Sequence, residues 1–522
     1  MDQGIGSWVT VRAELQPGRT ALVAGERELT YADLEARTNQ VARALLTLGV
    51  RRGDRVGMLM LNSVEFMELV FATAKLGAIA VPINFRLGGA EVGYILDDAG
   101  CDVLAYHRAL APLARAGLDA SSRVRVRLLI DTPAGWPGDA GPETAPGELD
   151  YAEVTAAASS DAVAMTVDPR DVHGIMYTSG TTGRPKGAML THGNAIANAR
   201  HAMLAPRAPR PDDVTITAAP MFHIGGLGVH SLPFVYVGAK NVIVPAFDPA
   251  GFTQLMAQHR ATVQFLVPAM WAAITRLPDF DGYDLSALEL CLSGGAPTPL
   301  PVIEFFNDRG VMFQEGFGMT ETAPSVSILD PDHIRTKLGS IGQPIPGVRC
   351  RFVDEEDHEV PVGEVGELVM QGDNIIPGYW MLPEASAEAW RGDWFHSGDL
   401  GRVDDEGYMT LVDRKKDMVI TGGENVYPVE VEQVIVRHPA VREVAIFGVP
   451  DARWGETVVA AVALDDQLAP ADLIAWTRER LAHFKCPTRV EVVDELPRNA
   501  TGKVLKTELR AKFGGSASAV SR

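Results

Sequence analysis

Cysteine is scarce in this chain: four among 522 residues, Cys101, Cys291, Cys350 and Cys486, each standing alone. Without CxxC spacing they offer neither a zinc knot nor a disulfide framework, and they are expected to be packing residues. Long apolar runs are missing too. The most apolar stretch, Ala261 to Pro278, carries Gln264, Pro268 and Arg276, so it falls short of the roughly 20 clean residues a bilayer span needs. A buried strand followed by a helix is expected there instead. Basic residues are outnumbered, 47 Lys plus Arg against 67 Asp plus Glu, for a formal net charge of −20. A surface that negative repels a nucleic-acid backbone, so any anionic ligand has to meet locally placed cations. No basic region followed by an apolar run opens the chain, so no secretory signal is visible and the cytoplasm is the expected compartment.

What is present is the balance of a folded globule: 46% hydrophobic and 22% charged residues, with a mean hydropathy of +0.04. At about 100–200 residues per domain the length implies two to four units. Short apolar runs alternate with helical patterns over the first 400 residues, as in Val56 to Leu61, Val64 to Leu76 and Ala78 to Ile83. That rhythm predicts layered α/β structure with mostly parallel strands. Thr132 to Gly147, rich in Pro, Gly and Ala, reads as a surface excursion. After residue 400 the strand-like Tyr408 to Val412 leads into the charged run Asp413 to Asp417. The main boundary is expected here, giving a large N-terminal domain of α/β subdomains, residues 1–414, and a small α+β domain, residues 415–522. In the latter, Pro428 opens a helix, Val444 to Val449 and Val458 to Leu464 read as strands, and Ala471 to Phe484 has helical periodicity.

The strongest local signal is YTSGTTGRPKG, residues 177–187, after the strand-like His173 to Tyr177. Gly180 and Gly183 let the backbone turn its N–H groups toward a polyanion, Thr178, Ser179, Thr181 and Thr182 add hydroxyl donors, and Lys186 adds charge. The lysine precedes Gly187 and Ala188, so this is not the GxxxxGK[ST] loop. Further along stand SGGAP (293–297), QEGFGMTE (314–321), HSGDL (396–400), DRKKD (413–417), GGENVYP (422–428) and PRNATGKVLK (497–506). His396, Ser397 and Asp399 are too close in sequence for a hydrolase triad, and no GxSxG elbow exists.

These motifs, in this order and spread from Leu29 to Lys506, resemble the adenylate-forming superfamily of acyl-CoA synthetases, carrier-domain adenylation domains and beetle luciferases, on its acyl-CoA synthetase branch. The resemblance implies that residues 178–183 and Lys186 cradle the ATP phosphates. Gly295, Ala296 and Pro297 would line the adenine slot, with Gly316 beside it and Phe317, where relatives more often have Tyr, stacking on the base. Thr320 would bind near the α-phosphate, Glu321 would hold Mg²⁺, and Asp399 and Arg414 would take the ribose. Lys503, in a mobile C-terminal domain, would bridge carboxylate and α-phosphate, Lys416 would be the hinge, and Gly422 and Gly423 would admit the pantetheine arm of coenzyme A. His223 would gate an acyl pocket bordered by Gly225, Gly226, Gly294 and Gly318.

The activity so implied is ATP-dependent adenylation of a fatty or aryl monocarboxylate and transfer of the acyl group to CoA, releasing AMP and pyrophosphate. Phe222 and His223 stand where amino-acid-activating relatives place an Asp, which disfavours amino acids. An acceptor thiol on a carrier protein, an enzyme that stops at the acyl-adenylate, and a homodimer stay open. A nucleotide-binding regulatory protein without catalysis would be expected to have lost Glu321, Asp399, Arg414 or Lys503, and all four are present.

Overall fold

The computed structural model describes residues 4–163, 165–178, 184–414, 417–421, 424–451, 453–498 and 504–514. Among the expected site residues, Ser179, Gly180, Thr181, Thr182, Gly183, Lys416, Gly422, Gly423 and Lys503 lie outside this set. Two compact units are formed, Met1–Cys350 with Met370–Phe395, and Arg351–Val369 with His396–Arg522.

The larger unit holds a seven-stranded sheet in the order Glu148–Asp150, Val126–Ile130, Cys101–His107, Arg55–Leu59, Ile79–Pro82, Val172–Thr178, Lys186–Thr191. The first six strands run parallel, and the last returns antiparallel from its neighbour. Parallel strands need helical crossovers, and the helix Val64–Leu76 shows how the sequence supplies them. Ser63 Oγ accepts the Phe66 N–H to start it, Gly77 at φ 62° ends it, and nearly every residue between is buried. Its two buried charged residues, Glu68 and Lys75, survive burial because they are paired. Glu68 accepts from Arg27, Arg37 and the Tyr151 hydroxyl, and Lys75 donates to Glu35 and Asn39.

Two further sheets lie in this unit. One orders Val214–Thr217, Lys240–Ile243, Thr20–Ala24, Arg27–Thr30; the other orders Val263–Leu266, Leu290–Gly294, Met312–Gly318, Ser325–Leu329, Gln343–Pro344. The expected strand and helix within Ala261 to Pro278 are Val263–Leu266 and Pro268–Thr275. Gln264, which broke the apolar run, joins the edges of the two sheets. Its amide accepts the Ile216 N–H (3.0 Å) and donates to the Ile216 carbonyl (2.7 Å), as another strand would.

In the smaller unit the hairpin partners Asp399 and Arg414 face each other in register. Val441–Asp451 and Gly455–Leu464 form a long antiparallel pair, flanked by Val419–Thr421 and, in parallel, Arg489–Val492. The helix opened by Pro428 runs to Ile435. The helix expected over Ala471 to Phe484 is shorter, Pro470–Arg478. Pro487 follows closely, and the chain passes through the tight turn His483–Lys485 before it. Cys101, Cys291 and Cys486 are buried, and all four thiols are free.

Replacing Gln264 by Leu strands both polar groups of Ile216. At about 1–3 kcal/mol for each buried unsatisfied group, the variant is expected to lose about 2–6 kcal/mol, read from the urea transition of the larger unit. An unchanged midpoint would show that the two sheet edges do not depend on this amide.

Candidate active site

The strand Val172–Thr178 and its antiparallel partner bring Thr178 opposite Lys186, so both ends of the phosphate-loop motif emerge at one sheet edge. The base of this hairpin is fixed by Tyr177, whose hydroxyl donates to Asp98 (2.6 Å). Burial and the Asp98 carboxylate push the Tyr177 phenol far above its ordinary range, so it stays a donor.

Glu321 sits in the turn Thr320–Thr322, buried to 7% exposure. Its Oε1 receives the Tyr379 hydroxyl at 3.1 Å and the Thr178 hydroxyl at 3.5 Å. Thr320 opens the turn, and Thr322 Oγ1 donates to the Pro324 carbonyl (2.5 Å), closing it. The approach is tight enough to demand glycine at 318: a Cβ there would lie 1.8 Å from the Pro324 carbonyl oxygen.

A segment that sequence reasoning passed over, Asp373 to Trp380, ties these parts together. Asn194 caps its own helix through Thr191 and spends its amide N–H groups on the Asp373 and Ile375 carbonyls. Asn374 donates to the carbonyls of Thr322 and Ser325, both at 2.7 Å. The Ile376 N–H bonds the Glu321 carbonyl, the Met189 N–H bonds Gly378, and the Trp380 N–H bonds Gly187. Phosphate hairpin and acidic turn are thereby fastened to one strap.

The loop after Leu290–Gly294 turns at Gly295, whose φ of +89° favours glycine. It is clamped by Thr298, which donates its N–H to Glu315 (2.7 Å) and its hydroxyl to Ser293 (2.8 Å). Burial raises the Glu315 carboxyl above its ordinary range. Gly294 pairs with Gly316 across the sheet, so Ala296, Pro297 and Phe317 follow from adjacent strands.

At the expected acyl pocket, Asn62 fixes the turn ahead of His223 by donating to the Ala219 carbonyl and accepting the Met221 N–H. His223 packs on Phe222, which meets Phe85 edge to face. Its Nε2 is buried without a hydrogen-bond partner among the described residues. Burial, aided by the Arg86 guanidinium, lowers its pKa to about 4, so the ring is neutral at pH 7. Gly225 and Gly294 both face the Phe265 ring, at 3.6 and 3.5 Å from where a Cβ would sit. Gly226 is turned toward the Ala219 and Pro220 carbonyls, which a Cβ would meet at 2.6 and 2.2 Å, so it serves chain packing. Behind Gly225 is a void of about 10 Å³ lined by Thr215, Ala219, His230 and Phe265 among others.

In the smaller unit Asp399 is buried to 5% exposure, and its N–H bonds the Ser397 hydroxyl. Ser397 itself donates to the Leu368 carbonyl (2.6 Å), in keeping with the rejection of a hydrolase triad.

The AMP-binding enzyme family matches residues 9–380, and its C-terminal domain family matches residues 430–503. The chain belongs to this family. It is 42% identical over 515 residues to a feruloyl-CoA synthase of Amycolatopsis sp, covering 98% of this chain and all of that one. To the long-chain-fatty-acid–CoA ligase FadD13 of Mycobacterium tuberculosis it is 35% identical over 521 residues, covering 98% and 99%. The crystal structure of the anthranilate CoA ligase AuaEII in complex with anthranoyl-AMP superposes with a TM-score of 0.88 at 31% identity, covering 98% and 97%. The chain is therefore an AMP-forming acyl-CoA synthetase, a class that uses ATP, Mg²⁺ and CoA, built as a large α/β N-terminal part and a smaller C-terminal one. Among the described residues no helix is long and apolar enough to cross a membrane.

The lowered pKa of His223 has a pH consequence. Between about 4 and the ordinary 6.5 the unfolded chain binds a proton that the folded one refuses, so stability is full above 6.5 and falls as pH drops toward 4. His223→Gln is expected to remove up to about 3 kcal/mol of that decline. The check is the urea midpoint of both proteins at pH 7 and pH 4.5, and equal pH dependence would contradict it.

Proposed function

We propose that this synthetase activates an aromatic monocarboxylic acid and that the residues above divide the two half-reactions between them. The observation carrying the choice of acid is Phe265: its ring lies against both Gly225 and Gly294, and the space behind Gly225 closes to about 10 Å³. That is room for about one water molecule, so the void does not open into a tunnel for an alkyl chain and the acid would sit on the near side of Phe265. A flat ring entering beside His223 meets Phe85, Phe222 and Phe265, edges and faces suited to aromatic contact.

A carboxylate resists attack by a thiol because its oxygen is a poor leaving group; making it a mixed anhydride with AMP removes that obstacle. The carboxylate oxygen bonds to the α-phosphorus of ATP, and the bond from that phosphorus to the pyrophosphate oxygen breaks. Two anions must approach, so cations and donors have to offset their repulsion. Thr178, Lys186 and the loop 179–183 would hold the phosphates, Thr320 the α-phosphate region, and Lys503 would lie between carboxylate and phosphate. Glu321 and the surrounding hydroxyls form an all-oxygen donor set, which suits Mg²⁺ held by one carboxylate and the substrate's own phosphates. When bound, the ion supplies charge neutralisation at the phosphates.

Gly295 to Pro297 and Phe317 would take the adenine, and Asp399 and Arg414 the ribose hydroxyls. His223, neutral at pH 7, can face the acyl group without placing a fixed charge in an apolar pocket. In the second step the CoA sulfur bonds to the acyl carbon, the thiol proton is lost, and AMP leaves. Turning residues 415–522 about Lys416 would withdraw Lys503 and bring Gly422 and Gly423 to the pantetheine arm.

Pyrophosphate release and thioester formation with free CoA, measured across a panel of acids, are expected to favour cinnamates or benzoates over C12–C18 fatty acids by about tenfold or more in kcat/KM, a gap of about 1.4 kcal/mol. Phe265→Ala is expected to narrow that gap by admitting longer acids. A wild-type preference for long chains would overturn the aromatic reading. Lys503→Met is expected to cut acyl-adenylate formation by at least about 100-fold while sparing thioester formation from preformed adenylate, measured by single turnover.

A further inference from the structure

One side chain touches both the acidic turn and the phosphate hairpin, and none of the expected roles includes it. Tyr379 lies on the Asp373 to Trp380 strap, where it makes an antiparallel bridge to Ala188, the second residue after Lys186. Its hydroxyl donates to Glu321 Oε1 at 3.1 Å, and its ring carries the Lys186 ammonium 5.3 Å from its centroid. The backbone on either side is fixed independently of the side chain, by Met189 N–H to Gly378 and Trp380 N–H to Gly187. The phenol is thus aimed by the sheet rather than by its own contacts.

We propose that Tyr379 is a positioning residue for adenylation, its hydroxyl setting the orientation of Glu321 toward Mg²⁺ and its ring seating Lys186 toward the phosphates. The proposal rests on Glu321 being the metal-holding carboxylate. Mg²⁺ demands near-ideal octahedral geometry and tolerates misplaced ligands poorly. A carboxylate with one oxygen engaged by Tyr379 and Thr178 is restrained from swinging or chelating through both oxygens, as hydrogen bonds to metal ligands generally do. Lys186 over an aromatic face gains a cation–π attraction that the ring, not the hydroxyl, supplies. The two functions are therefore separable by substitution. Tyr379→Phe removes the hydroxyl and keeps the ring; Tyr379→Leu removes both.

The test is an electron paramagnetic resonance titration of Mn²⁺ into the full-length enzyme with a non-hydrolysable ATP analogue, alongside calorimetric binding of that analogue. Tyr379→Phe is expected to weaken Mn²⁺ binding about tenfold or more with a cooperative thermal unfolding transition retained and little change in analogue affinity. Tyr379→Leu is expected to weaken the analogue as well, and by no further amount when combined with Lys186→Met. Glu321→Gln serves as the reference that loses the Mn²⁺ site. Wild-type Mn²⁺ affinity in Tyr379→Phe, with Glu321→Gln impaired, would overturn the role of Tyr379 and leave Glu321 its own. Wild-type Mn²⁺ affinity in Glu321→Gln would overturn the reading of Glu321 and this proposal with it. Full additivity of Tyr379→Leu and Lys186→Met in analogue affinity would overturn the ring's part.

Discussion

The hydroxyl bonds to Glu321 are the constraint on which the rest of the larger unit's site depends. A single buried carboxylate oxygen is met by Thr178 from the phosphate hairpin and by Tyr379 from the strap, so three segments far apart in the chain converge on one atom. Burying a charged group is costly unless it is hydrogen-bonded, and that cost makes the convergence specific. If the strap shifts, Glu321 loses a donor, the hairpin loses the Trp380 and Met189 bonds, and the turn loses Asn374. The seven-stranded sheet supplies the rigid edge from which the hairpin is presented, and the clamp at Thr298 does the same for the loop that follows Gly294.

Chemistry follows from that geometry. Adenylation brings two anions together, and the residues gathered here are hydroxyls, a carboxylate, a lysine and backbone amides rather than a nucleophile with a base. The proposed acyl side is built differently, from aromatic rings and a histidine kept neutral by burial. The contrast divides the site into a part that manages charge and a part that selects shape.

Much of this was legible in the sequence because local signals carry local physics. The helical pattern Val64 to Leu76 is a helix with those same bounds, and Pro428 opens a helix as expected; the hydroxyl and glycine spacing of residues 177–187 points toward a phosphate loop from the sequence alone. Tyr379, Asn194, Asn374 and Glu315 were not legible. Each acts across 50 residues or more, or against backbone atoms that no spacing rule connects to it: Tyr379 reaches Glu321 over 58 positions and Asn194 reaches Ile375 over 181. Gln264 looked like a flaw in an apolar run and proved to join two sheets. Phe265 faces Gly225 and Gly294, a juxtaposition that no spacing in the sequence connects. The site residues in 179–183, 422–423, Lys416 and Lys503 rest on the sequence motifs and family resemblance.

The most direct test of the account is the ATP–pyrophosphate exchange rate of Glu321→Gln with an accepted aromatic acid, set beside its rate of thioester formation from purified acyl-adenylate and CoA. A carboxylate that serves only the phosphate-handling step predicts exchange reduced by at least about 100-fold with thioester formation close to wild type. Exchange at the wild-type rate, or equal loss in both half-reactions, would contradict it.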